Sequence, residues 1–412
     1  MLRNALFQVH WFVGITIGIV IALVGATGAI LSFEPEILHT LNRDARSVAA
    51  AAGEHLTPPE LLARLQAADP ALRVASLAVW SEPSRAARVT YSPEAAPREK
   101  TGVPPPRGEV RYVDPRTGRV AEGKGDRGEA FFRTTRSLHR WLIADRLGDR
   151  DVGRQIVGAA TIVLVFLTLS GLYLRWPRGR ARNWRAWLTF NPRFRGRTFL
   201  WHLHAISGTW VLIAYLVMSL TGLQWSYEWY RNGLVSLSGA QPARPRSEPA
   251  AAPNGSAARW DQAMLETAWS AFVDEVGVDR YQMATIELPA GRTDTLSIRY
   301  LDPDPRHERA YNSVEVRVSD GGIESHMRYA EKSVGDRFIA SIFPLHSGRF
   351  FGLAGVIVFM MASLTMPLFA ITGWLLYLAR RRQKKRGRVH TPGETDIVAD
   401  SPRHGIVLES DA

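Results

Sequence analysis

Four apolar stretches decide most of what this chain can become. Trp11–Phe33, Ile156–Trp176, Ala205–Tyr227 and Phe350–Leu378 contain a single charged side chain between them, Arg175. At a rise of about 1.5 Å per residue, each is long enough to cross the roughly 30 Å hydrocarbon core of a bilayer. Arg175 stands one residue from the end of its stretch, where a long basic side chain can snorkel to the interface. Four transmembrane helices are expected. The first stretch is too long for the apolar part of a secretory signal, and "SFEPEI" offers no small-residue cleavage site, so it is expected to stay as an anchor.

The net charge of +12 raises the possibility of a nucleic-acid partner, but its placement argues otherwise. Eight arginines and no acid lie between Arg175 and Arg197, and "ARRRQKKRGR" follows Leu378. Short basic flanks of this kind mark the cytoplasmic side. Both termini are therefore expected in the cytoplasm, with the segments between helices one and two and between three and four outside. The chain has no cysteine. That excludes disulfides, iron–sulfur clusters, thiolate-ligated haem and covalent haem attachment, and leaves metal chemistry to His, carboxylates and Met.

The sequence repeats at an offset of 194 residues. Arg3, Leu6, His10, Gly14, Ile19, Thr27, Gly28, Ser32 and Glu34 meet Arg197, Leu200, His204, Gly208, Ile213, Thr221, Gly222, Ser226 and Glu228 without a gap. The second and fourth helices also end alike, in "LTLSGLYLRW" and "FAITGWLLYLAR", and each follows a Leu-His pair at His139 and His346. A pseudo-symmetric four-helix bundle is the architecture such a duplication favours. The outside segments read as small α+β units. The first has a helix in "TPPELLARLQAA" with Thr57 as N-cap, then strands in "RVASLAVW" and "ARVTYS" and a hairpin in "EVRYVDPRTGRVAE". The second repeats that order with "ARWDQAMLETAWSAFVDEV", "YQMATIELP", "DTLSIRYLD" and "SVEVRVSDGG", after a Pro/Ala-rich linker over Ser238–Arg259.

Four histidines fall as two pairs at matched depths: His10 and His204 at the inner end, His139 and His346 at the outer end. Imidazole pairs on facing helices are how a bundle holds b-type haem without a covalent link. Gly14, Gly18, Gly25 and Gly28 share a face with His10, within an arc of about 80° at 100° per residue. Gly208 and Gly222 repeat two of those positions on the third helix. Such a stripe either leaves a slot for a porphyrin or allows close helix packing. A structural zinc site is the rival for the His pairs, but no carboxylate or thiolate completes a tetrahedron. His39 and His202 stand in reserve as ligands, and His55, His307, His326, His390 and His404 read as solvated. "GKGDRG" fits a dinucleotide-binding pattern but follows no buried strand and reads as a loop. Electrons must then come from a separate partner, either a quinol or a cytoplasmic reductase.

Five motifs in order, "VHWFVG…VGATGAILSF", "LHRWL", "LHAISG…SLTG", "PLHSGRFFG…ITGWLLYL" and "YVDPRTGRV", resemble the PepSY-associated transmembrane proteins, the iron-regulated membrane proteins of bacteria. The likeness runs from about Leu6 to Arg382. Members include inner-membrane ferric-siderophore reductases that carry haem between their helices. The resemblance implies a bacterial inner-membrane protein with two non-covalent bis-His haems b, ligated by His10, His204, His139 and His346. It implies transfer of electrons to iron(III) chelates such as ferric siderophores, with no nucleic acid involved. The long "IADRLGDRDVGRQ" after His139 makes that ligand the odd one. The implied divisions are helix one over 1–33, a PepSY-like domain over 34–138, helix two with its leading segment over 139–177 and a basic loop over 178–203. Helix three over 204–229, a second PepSY-like domain over 230–345, helix four over 346–379 and a basic tail over 380–412 complete them. A non-redox regulator or binder of envelope peptidases is the alternative.

Overall fold

The computed structural model describes residues 1–48, 55–69, 73–91, 109–122, 125–176, 185–241, 261–288 and 294–389. The first half runs α1 (Leu2–Thr16), α2 (Gly18–Leu31), α3 (Glu34–Leu41), α4 (Arg43–Arg46), α5 (Pro58–Ala68), β1 (Val74–Trp80), β2 (Ala87–Tyr91), β3 (Val110–Val113), α6 (Glu129–Trp141) and α7 (Arg150–Arg175). The second runs α8 (Arg185–Leu188), α9 (Gly196–Trp210), α10 (Leu212–Ser226), α11 (Glu228–Ser238), α12 (Gln262–Val276), β4 (Met283–Glu287), β5 (Thr295–Leu301), β6 (Asn312–Arg317), β7 (Ile323–Met327), α13 (Val334–Ser347) and α14 (Gly352–Val389). Most of the Pro/Ala-rich linker, part of "GKGDRG", His390 and His404 lie outside the described residues.

Among the described residues two helices, α7 and α14, are long and apolar enough to cross a membrane, and the count reaches four if α1–α2 and α9–α10 are each one span. Both pairs bend by 61°, one at Ile17 and one at Val211, positions that the 194-residue repeat superimposes. Neither break holds a proline. Beside the breaks, Thr16 and Thr209 bond their hydroxyls back to the carbonyls of Phe12 and Ala205, at 3.0 and 3.1 Å. The bend changes each helix's neighbour. α1 lies against α7 and α9 against α14, whereas α2 leans on α14 and α10 on α7. Arg175, expected to snorkel, ties the end of α7 to α9 through the Ala205 carbonyl and the Thr209 hydroxyl.

The strands of both outside segments join one antiparallel sheet of order β3-β2-β1-β4-β5-β6-β7. Its centre is the β1–β4 pair, with Ala78 opposite Thr285 and Trp80 opposite Met283. About this line β1, β2 and β3 mirror β4, β5 and β6. The expected hairpin after β3 shrinks to a single bridge between Val113 and Val120, while its counterpart extends into β7, which the sequence pattern did not suggest. Thr57 caps α5 as expected, in a reciprocal capping box with Glu60. Leu61, Leu62 and Leu65 of α5 and Leu265, Ala268, Trp269 and Phe272 of α12 pack with Leu77, Val89, Ile286, Ile298 and Val314 in one core shared by both segments. Truncating a fully buried ring such as Phe272 to Ala typically costs about 3–5 kcal/mol.

Candidate functional site

The histidines come from four different helices: His10 from α1, His204 from α9, His139 from α6 and His346 from α13. The outer two face each other, with ring centroids 6.4 Å apart and planes at 64°. His10 and His204 lie within electrostatic reach of one another. The insertion after His139 does not displace it. It is taken up by a turn in which Leu142 and Ile143 adopt left-handed backbone and Ala144–Arg146 form a short 3-10 helix, whereas glycines at 348 and 352 turn the other copy.

Hydrogen bonds fix the proton on each ring. His139 Nδ1 lies 3.0 Å from the Val24 carbonyl and 3.2 Å from the Thr27 hydroxyl. His346 Nδ1 lies 2.9 Å from the Met218 carbonyl and 3.1 Å from the Thr221 hydroxyl. Val24 and Thr27 superimpose on Met218 and Thr221 through the repeat. A carbonyl only accepts, so Nδ1 carries the hydrogen in both rings. The inner pair reaches the same state by another route. His10 Nδ1 is 2.8 Å from Ser170 Oγ, and His204 Nδ1 is 2.8 Å from Thr372 Oγ1. Each hydroxyl gives its one proton to a carbonyl a turn earlier, Leu167 and Leu368, and so accepts from the imidazole. All four Nε2 lone pairs are left without a hydrogen-bond partner among the described residues. This is the arrangement that presents imidazole to a metal.

The glycines divide. A Cβ at Gly28 or Gly222 would stand 3.2 Å from Cε1 of His139 or His346, so these two glycines make room for the outer rings. Gly25 is a helix contact instead, since a Cβ there would meet Met366 and the Ser363 carbonyl at 2.5–2.7 Å. Gly18 faces Ala370, Gly14 faces Leu167 and Gly208 faces Phe369, all at ordinary contact distance. Of the two alternatives for the stripe, Gly18 and Gly25 lie where α2 packs on α14, and Gly28 and Gly222 lie against the outer rings. Ile21, Ala160, Tyr215, Met218, Phe359 and Met366 form a buried, mainly apolar cluster within the helices.

The remaining histidines separate on bonding. His307 is buried, not solvated: Arg309 N–H donates to its Nδ1 at 3.1 Å, so Nε2–H donates toward Tyr329 Oη at 2.9 Å and Ser341 Oγ at 3.1 Å. Burial, with the Arg306 and Arg309 charges, holds it below the usual histidine range. His326 is likewise engaged at both nitrogens, by Glu275 at 2.7 Å and Tyr300 at 2.8 Å. Neither can offer a lone pair. His202 stacks on Trp201 and lies tilted against Phe194, and His39 lines a separate cleft. Beside the outer pair, Arg349 grips both carboxylate oxygens of Glu36, at 2.8 and 2.9 Å, and Arg136 pairs with Glu34.

The family described as the PepSY-associated TM region matches residues 7–380, nearly the whole chain. The chain belongs to the PepSY-associated transmembrane family. No curated protein sequence matches it. Within this PepSY-associated chain, sequence reasoning overlooked one signal. Each of the four paired histidines meets a hydroxyl that immediately precedes a glycine: Thr27-Gly28, Thr221-Gly222, Ser170-Gly171 and Thr372-Gly373. The repeat superimposes Thr27-Gly28 on Thr221-Gly222, a shared feature beside the paired histidines.

Proposed function

We propose that this protein holds two b-type haems, one at each histidine level, and moves electrons across the bacterial inner membrane to iron(III) chelates. The observation that carries the reading is the twofold recurrence of imidazoles with Nδ1–H bonded and Nε2 free. The donor set fits. Two imidazoles on opposite sides of one metal ion, with bonds of about 2 Å, hold their centroids roughly 6 Å apart, against 6.4 Å between His139 and His346. No group of three or more His, Cys, Asp or Glu side chains suited to a metal occurs among the described residues. A bare ion would lack ligands at such a pair, whereas a macrocycle brings its own. When bound, haem would supply a one-electron couple at each level, held by His139 and His346 at the outer level and by His10 and His204 at the inner.

The chain's own residues do the rest. Val24, Thr27, Met218 and Thr221 orient the outer imidazoles, and Ser170 and Thr372 the inner ones. The buried, mainly apolar cluster around Tyr215 and Met218 packs the helices together. A membrane quinol or a cytoplasmic reductase supplies the electron, and each one converts iron(III) in the chelate to iron(II). Hard oxygen donors hold iron(II) less tightly, so the metal is released. On this reading four helices span, the strand-bearing segments are periplasmic, and substrate meets the outer level.

The test is the absorption spectrum of the purified protein, with and without dithionite. A six-coordinate low-spin spectrum with two haems per chain is expected. His346→Ala should remove the outer haem and ferric-chelate reduction while leaving the inner haem reducible. Protein purified without haem, or haem-loaded protein that reduces no iron(III) chelate, would sink the reading.

A further inference from the structure

A cleft on the strand-bearing side stands apart from the four histidines. His39 of α3, Arg46 of α4, Trp80 of β1, Arg85, Arg88 of β2 and Tyr112 of β3 line it, and its volume is about 150 Å³. No acidic residue forms its wall. The guanidiniums lie on the rings: Arg46 is 5.1 Å from the Tyr112 centroid, and Arg85 and Arg88 are 5.3 and 5.9 Å from that of Trp80. Cations held over aromatic faces in this way are partly desolvated and aligned for a planar guest.

The cleft has donors without acceptors. Arg46 bonds Glu129 at 3.2 Å and the Gly125 carbonyl at 3.3 Å through Nη2, but its buried Nε has no partner among the described residues. The nearest carboxylate to Arg85 is Glu82, at 3.9 Å. Among the described residues Arg88 has neither ion pair nor hydrogen bond, and the same bonds are missing from the His39 ring, the Trp80 indole and the Tyr112 hydroxyl. Burial and the charges of Arg85, Arg46 and Arg43 hold His39 below the usual histidine range, against an opposing effect from Glu82. The field in the cleft is therefore positive. Its size matches one benzene-sized ring, for which a cavity of about 150 Å³ suffices.

We infer that this cleft binds an anionic aromatic group, an aryl carboxylate or catecholate of the iron(III) chelate, with the ring against Trp80 and Tyr112 and its charge on Arg88, Arg85 and Arg46. The assignment to a chelate rests on the ferric-reductase reading; the ligand chemistry does not. Inorganic phosphate would meet the charges but offer no planar surface to Trp80, Tyr112 and the guanidiniums that lie over them. The position suits the role. Arg46 bonds Glu129, the first residue of α6, and His139 lies ten residues on, about 15 Å along the helix axis.

The experiment uses the full-length purified protein and follows Trp fluorescence on titration with 2,3-dihydroxybenzoate and, separately, with its iron(III) complex. Saturable binding is expected, with cyclohexanecarboxylate and inorganic phosphate at least tenfold weaker. Arg88→Gln, an exposed change, should weaken dihydroxybenzoate at least tenfold. It should also raise KM for the iron(III) complex with kcat and haem absorption unchanged. Equal binding of phosphate or cyclohexanecarboxylate, or unaltered affinity in Arg88→Gln, would overturn the inference. If the wild-type protein lacks haem, the redox reading fails alone, because dihydroxybenzoate binding still tests the cleft.

Discussion

An imidazole offers one nitrogen to a metal only when its other nitrogen has a settled proton. Two of the four rings obtain this from a main-chain carbonyl and two from a hydroxyl, yet all four end in the same tautomer. The histidines themselves were legible in the sequence because the repeat paired them. Their partners were not, because each sits more than 100 residues from its histidine on another helix, and a hydroxyl-glycine pair alone does not say which ring it meets. Gly222 gives a sharp test. Alanine there would need His346 to yield a few tenths of an ångström, whereas valine adds two methyl groups against the ring. Gly222→Val should therefore lose the outer haem and keep the inner, halving the reduced-minus-oxidised difference spectrum; an unchanged spectrum would place no haem against His346. His307 gives a test outside the haem levels. Its proton affinity is lowered in the folded protein, so below about pH 6.5 the unfolded chain binds more protons and stability falls as pH falls. The loss levels off once the pH is below the folded value. His307→Gln, which keeps an N–H donor, should flatten the decline of the thermal midpoint between pH 7 and 5. An equal slope in both proteins would show that His307 does not titrate there.

At the scale of elements, the apolar stretches were read correctly as helices, but their shape was not. Hydropathy measures length and composition. The 61° bends at Ile17 and Val211 change neither, so hydropathy does not register them. Their consequence is architectural, since each bent pair leans mainly on one copy of the repeat before the break and mainly on the other after it. The copies are also clamped near the outer level by Arg349, which bonds Glu36 through two nitrogens and the Ser32 carbonyl at 2.9 Å. The Arg349 side chain is 20% exposed and Glu36 51%, so solvent screens the pair only in part. A double-mutant cycle of Arg349→Gln and Glu36→Gln should return a coupling of about 1 kcal/mol, as for a partly exposed two-point ion pair. The measurement is thermal unfolding in detergent, and additive effects would show that the pair does not clamp.

For the whole molecule, the joined sheet constrains what no single helix can. Main-chain bonds link β1 to β4, so the two strand-bearing segments must lie on the same side of any membrane. The sequence did not reveal this join, because β1 and β4 are more than 200 residues apart and each reads as an ordinary half-buried strand. It sets a parity. Between β3 and β4 the chain must cross an even number of times, so if α7 crosses, the bent pair α9–α10 must cross back as one span. The pair α1–α2 shares its bend and its repeat, which argues for a crossing there too, and α14 makes four. On the proposed four spans, the arginines between Arg175 and Arg197 and the run after Leu378 would share the side opposite the sheet, which the positive-inside rule would make the cytoplasm. Reporter fusions after Arg185 and Gly393 should read cytoplasmic, and fusions near Pro104 and Gly255 periplasmic. If Pro104 and Gly255 read on opposite sides, the shared sheet is wrong. If all four sites read inverted, the sheet survives but the histidine levels exchange faces, and an iron(III) chelate would have to be reduced from the cytoplasm.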